Sequence, residues 1–253
     1  VTELLEHMPA LSALQWAGYQ AGALLVGFTK TGVPGLGPVV VPLMATVFPA
    51  RASTGLLLPL LLAADLFAVV HYRRHAVWPH LWRLLPWAAA GIVAGWLVLG
   101  RINDRQLEVA IGAIVLVIVA LGLLGGRWQA RSDAMARSWW WAGGLGLAAG
   151  FTTMISNAAG PIMVIYLLAM RLPKREFVGT GAWYYLTMNL LKVPFSASLG
   201  LITGPTLLLN ATALPAIAAG AWLGIAALER IPERGFNTAM QVLAAAAAVN
   251  LLL

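Results

Sequence analysis

The chain has 253 residues, of which 60% are hydrophobic and only 10% charged, with a formal charge of +7 and a mean hydropathy of +0.83. A soluble domain carries roughly a quarter charged residues, so this composition excludes a water-soluble globule, and a sequence without cysteine excludes disulfides, thiolate metal sites and a cysteine nucleophile. No stretch alternates like a membrane β-barrel, and backbone groups in lipid must be bonded inside their own segment, so the expected fold is an all-α polytopic membrane protein.

In chain order, VTELLEHMPALSALQW has neither a basic start nor a small-residue cleavage site and is not read as a secretory signal. Two short apolar pieces follow, about 14–29 and 35–48, then longer runs at 53–72, 83–100 and 106–125. A basic linker, GRWQARSDAMARS, occupies 126–138. The pattern then returns, with short pieces at 139–155 and 158–171 and long runs at 177–197, 207–228 and 235–253. Each long run is near the ~20 residues that a spanning helix needs, so six spans are expected. The short pieces do not comfortably cross ~30 Å at about 1.5 Å per residue. Each pair is expected to dip in and return, or to cross as a broken pair.

The cations are unevenly spread. If helices alternate across the bilayer, Arg73, Arg74 and Arg83, then Arg127, Arg131 and Arg137, then Arg171, Lys174 and Arg175, and finally Arg230 and Arg234 fall on one side. Only Arg51, Arg101 and Arg105 fall on the other. The positive-inside rule makes the richer side cytoplasmic. These read as topology charges at lipid headgroups, not as a nucleic-acid face, and no base-reading motif accompanies them.

The chain also repeats itself. GFTKTGVPGLGP at 27–38 aligns with GFTTMISNAAGP at 150–161, identical at five of twelve positions. Farther along, Pro49 pairs with Pro173, Arg51 with Arg175, Gly55 with Gly179 and Asp65 with Asn189. AGIVAGWLVLGRINDR from Ala90 then lies over AGAWLGIAALERIPER from Ala219, identical at seven of sixteen. The expected organisation is a first repeat over 1–125 and a second over 139–253, each a short broken pair plus three spans. Three spans per repeat give odd parity, so the second half should be inverted; the loop charges, basic at Arg73 to Arg83 but uncharged at the counterpart 198–206, swap as inversion requires. Inverted repeats with Gly/Pro-interrupted segments at matching positions are the architecture of secondary transporters, with substrate held where the breaks meet.

Glycine and proline in TGVPGLGP and SNAAGP should stop one helix and start another, leaving free amide hydrogens at the restarted ends. The candidate donors are Gly35, Leu36 and Gly37 in the first break, and Ala158, Ala159 and Gly160 in the second. Such ends attract anions. The polar residues gathered there, Thr29, Lys30 and Thr31 with Thr152, Thr153, Ser156 and Asn157, complete a candidate anion site. A packing role for these glycines is the plainer alternative, and for Gly91/Gly95 and Gly220/Gly224, which have no polar company, helix packing is the better account.

A lysine at membrane depth costs on the order of 3 kcal/mol on insertion scales, so Lys30 should bind substrate, pair with Asp65 or snorkel. Lys192 lies three residues after Asn189, on the same helix face, but near enough to the end of its run to snorkel as well. Asp65 falls in the middle of a run, and a lone carboxylate at that depth either pairs with a lysine or takes up protons, which makes it the candidate for proton coupling. Enzyme readings find no support: His7, His71, His75 and His80 lack metal-ligand spacing, no serine sits in a nucleophile elbow, and the terminal Gly-Lys-Ser/Thr of a phosphate-binding loop is missing. Tryptophans such as Trp78, Trp82, Trp87 and Trp139 flank the runs as interfacial belts do.

The duplicated break, GFTKTGVPGLGPVVVPL and GFTTMISNAAGPIMVIYLL, followed by FPARASTGLLLPLLLAADL and RLPKREFVGTGAWYYLTMNLLKVPF, resembles the TauE/SafE family of membrane permeases, also called the sulfite exporter family. The resemblance covers nearly the whole chain. It implies a bacterial inner-membrane exporter of small sulfur-containing anions such as sulfite or organosulfonates. Taken with the breaks, it gives the expectation of alternating access, with proton coupling open; a passive anion channel, a carboxylate carrier and a receptor are the alternatives. The expected partners are a small anion and the lipid bilayer. A homodimer is compatible with the reading, and neither nucleic acid nor any cofactor or metal enters it.

Overall fold

The computed structural model describes residues 11–34, 40, 43–44, 48, 50–103, 105–106, 138–157, 159–236 and 238–240. Their regular structure is helical: α1 (Ala13–Thr31), α2 (Ala50–Tyr72) with a 3₁₀ turn (Arg73–His75), α3 (Trp78–Leu99), α4 (Trp139–Ser156), α5 (Gly160–Ala169), α6 (Lys174–Ser198) and α7 (Gly204–Arg230). The expected spans 106–125 and 235–253, the linker 126–138 and the short piece 35–48 lie wholly or mostly outside the described residues. Local chemistry fixes the helix starts. Ser12 with Gln15 and Thr203 with Thr206 form capping boxes on α1 and α7, and Ser138 caps α4.

Among the described residues, three stretches, Ser53–His75, Trp78–Leu99 and Gly204–Arg230, are long and apolar enough to cross a membrane. Helix α6 is just as long, at 25 residues, but is diluted by polar side chains that turn inward. Asn189 and Lys192 are buried there, while their neighbour Leu190 is exposed. On α2, likewise, Asp65 is buried and Leu66 exposed. Polar groups inside and leucine outside suit a hydrocarbon solvent.

Glycines set the tightest helix contacts. A methyl group added at Gly27 would overlap the Ile217 carbonyl oxygen, and one at Gly220 the Leu24 carbonyl oxygen, so α1 and α7 touch backbone to backbone. The α3–α4 pair does the same through Gly150 against Ala88 and Gly91 against Leu147. These two pairs are the most extensive packings among the described helices. Gly91/Gly95 and Gly220/Gly224 thus serve close approach, as their spacing implies.

The described helices form two large apolar cores, with a smaller cluster of Ala68, Val69, Ala182 and Leu186 between α2 and α6. One is built from α1, α2 and α7 around Tyr19, Val26, Leu57, Leu60 and Ile217. The other is built from α3, α4, α5 and α6 around Leu84, Ile92, Met154, Tyr166 and Tyr184. Helices α2 and α6 run antiparallel across the boundary, Gly55 meeting Leu201 at one end and Gly179 meeting Tyr72 and His75 at the other. That crossing also collects cations at one end of the molecule. Arg73 and Arg74 lie beside the start of α6, where the Lys174 ammonium donates to the carbonyls of Leu228 and Ile231 and so caps α7 next to Arg230. Arg101 lies at the opposite end, one residue after Gly100, which approaches Leu199.

Candidate functional site

Where α2 crosses α6, Asn189 Nδ2 donates to Asp65 Oδ2 at 2.6 Å. The other carboxylate oxygen forms an ion pair with Lys30 Nζ at 2.7 Å. The ammonium of Lys30 also lies 3.9 Å from the centroid of the Tyr185 ring, on whose negative face a cation is favoured. Lys30 is 11% exposed and Asp65 fully buried. Of the three fates open to Lys30, the structure shows pairing, with the residue left at the edge of a cavity.

Asn189 extends the chain of polar contacts to a second lysine. Its Oδ1 accepts from Lys192 Nζ at 3.3 Å, and the same ammonium donates to Thr153 Oγ1 at 3.3 Å and to Asn157 Oδ1. Lys192 is 1% exposed. It points inward and does not snorkel. Asn157 is held in turn by donating Nδ2 to the Thr54 carbonyl at 3.1 Å. It ends α4 with φ 56°, a left-handed conformation that asparagine tolerates better than most residues. A residue that closes one helix therefore also ties α2 to α6.

A cavity of about 810 Å³, mouth included, opens on this network. Thr29, Lys30, Thr153, Asn157 and Asn189 supply its polar lining. Pro34 of the first break and Ala159, Gly160 and Pro161 of the second also line it. The two breaks meet there: a methyl group on Gly160 would stand 3.8 Å from the Pro34 carbonyl oxygen. Helix α5 starts at Gly160 without a side-chain cap, with proline in its first turn. Its partial positive charge thus opens directly on the cavity.

Not every expected residue reaches this space. Thr31 is buried against α7, donating its hydroxyl hydrogen toward the carbonyls of Gly27 and Ala221. Thr152 bonds to the Ala149 carbonyl and Ser156 to that of Thr152, both within α4. Lys192 touches the lining through Asn157 and Asn189. Gly35, Leu36, Gly37 and Ala158 lie outside the described residues. Two participants were not singled out from sequence, Tyr185 and Thr54. Tyr185 stands four residues before Asn189 and so shares its face, a signal that helical spacing carries. Thr54 contributes its backbone carbonyl to Asn157, and no residue type announces a backbone group.

The family model described as Sulfite exporter TauE/SafE matches residues 19–251. Comparison with curated proteins and with solved structures gave no match.

Proposed function

The chain belongs to the TauE/SafE sulfite exporter family, a family of membrane transporters and not of enzymes, and from that premise we propose that it moves small sulfur-containing anions, such as sulfite or organosulfonates, out across a bacterial inner membrane by alternating access. One observation carries the reading. Two buried lysines, Lys30 and Lys192, meet a single carboxylate among the described residues, beside a cavity that also receives an uncapped helix start. With both lysines and the aspartate ionised, one positive charge is left over at a depth where it costs several kcal/mol, and an anion in the cavity offsets it.

The roles follow from position. Lys30, at the cavity edge, supplies the attraction. The start of α5 at Gly160 supplies a fixed dipole, and the Thr153 and Asn157 side chains supply hydrogen bonds. Lys192 orients Thr153, Asn157 and Asn189 from behind.

Inverted halves are part of the proposal. The glycine contacts support them: in the alignment of the halves Gly27 answers Gly150, Gly91 answers Gly220 and Leu24 answers Leu147, and each contact in the α1–α7 pair has its counterpart in the α3–α4 pair. The moving bodies proposed here differ from the expected picture of one repeat rocking against the other, because α1 lies on α7 and α4 on α3. Each body therefore mixes the two repeats. In this reading the core of α1, α2 and α7 rocks against the core of α3, α4, α5 and α6, and the polar seam between α2 and α6 opens to one face at a time.

The test is uptake into proteoliposomes of sulfite, methanesulfonate, sulfate and acetate. Saturable uptake of the first two, reduced at least tenfold in Lys30→Ala, is expected. Flux that never saturates makes the protein a channel, and no flux of any anion removes the carrier reading.

A further inference from the structure

The cavity is polar at one end only. Along α6 its lining positions are Phe177, Val178, Gly181, Ala182, Tyr185 and Asn189, a stretch of thirteen residues, or roughly 18 Å at 1.5 Å per residue. That stretch grades from apolar to amide. Helix α5 grades in the same sense: it begins with the free amide end at Gly160 and continues into the cavity wall with Val164 and Leu167. The two helices are antiparallel neighbours, since Asn157, three residues before α5, meets Lys192, while a methyl group at Gly181 would lie 3.6 Å from Leu167 Cδ1. The polar ends of both therefore coincide near the network, and their apolar stretches face each other beyond it. Val164, Leu167 and Val178 are buried, so the slot between them is walled by dry side chains.

A bare oxyanion uses none of that wall. We propose, on the reading that the polar end binds an anion, that the substrate is a monovalent organic anion with an unsubstituted alkyl tail: the charged head sits at Lys30 and the start of α5, and the tail lies in the slot between α5 and α6. Charge points the same way as shape. When all three are ionised, two lysines against one aspartate leave a single positive charge, which matches a sulfonate and under-compensates a divalent ion such as sulfate. Gly181 sets the width of the slot, because any side chain there would fill the space between Leu167 and Tyr185.

Calorimetric titration of the purified full chain in lipid nanodiscs with methane-, ethane-, propane- and butanesulfonate, beside sulfite and sulfate, tests this. Burying a methylene is worth about 0.8 kcal/mol, or about fourfold in affinity, so binding should tighten about twofold to fourfold with each added carbon, and butanesulfonate should exceed sulfite by at least tenfold. In Gly181→Val the ratio of butanesulfonate to methanesulfonate affinity should fall toward one. A flat series in the native chain, sulfite binding as tightly as butanesulfonate, or an unchanged ratio in the folded variant each overturns the tail assignment while leaving the anion site in place. If none of the six anions binds, the anion site itself is lost and the tail with it.

Discussion

Lys30 stands between two anions in this reading: Asp65, already 2.7 Å away, and whatever enters the cavity. The groups facing Asp65 are Lys30 from α1 and Asn189 from α6, with Lys192 one contact farther. An incoming anion competes with the Asp65 carboxylate for Lys30, and a protonated Asp65 no longer competes. Anion affinity should therefore rise as pH falls in the native chain and stay level over the same range in Asp65→Asn, as read by titrating a sulfonate, which keeps its own charge throughout. An equal pH slope in both chains removes Asp65 from the coupling. Much of this chemistry was legible in the sequence, because a charge within an apolar run must find company. Which company was not legible. Lys192 can snorkel or turn inward from the same position, and Thr31, although it sits beside Lys30, is drawn into helix packing because the glycines opposite let α7 approach its hydroxyl.

At the scale of helices, close approach rests on a few backbone contacts. Gly150→Ala places a methyl group onto the Ala88 carbonyl and should cost about 1–3 kcal/mol through overpacking. Gly144→Ala, on the same helix and with nothing near its added carbon, should be neutral or stabilising by roughly 0.5–1 kcal/mol. Thermal unfolding in detergent compares them, and equal midpoints for the two variants contradict the packing account. The small-residue spacing announced helix contact correctly. It did not announce the partner: aligning the two stretches shows which positions correspond, not which are adjacent, and the tightest pairs, α1 on α7 and α3 on α4, join segments far apart or non-corresponding in that alignment.

For the whole molecule, two cores joined by a polar seam predict relative motion of rigid bodies. The sequence contains no cysteine, so spin labels can be placed cleanly at exposed Leu214 on α7 and Leu147 on α4, one in each body. The distance between them should shift, or split into two populations, when a saturating anion is added; a distribution that does not change opposes the rocking of these bodies. Such bodies move about whatever lies between them, and there the chain places two aligned residues, Asp65 and Asn189, in direct contact with each other. If the chain is the proposed pair of repeats, it is free to keep the same residue at both aligned positions almost everywhere. It loses that freedom where two aligned positions touch, since two carboxylates at such a separation resist ionising together. The amide at 189 lets the encounter become a bond, and the one carboxylate of the pair remains available to the lysines.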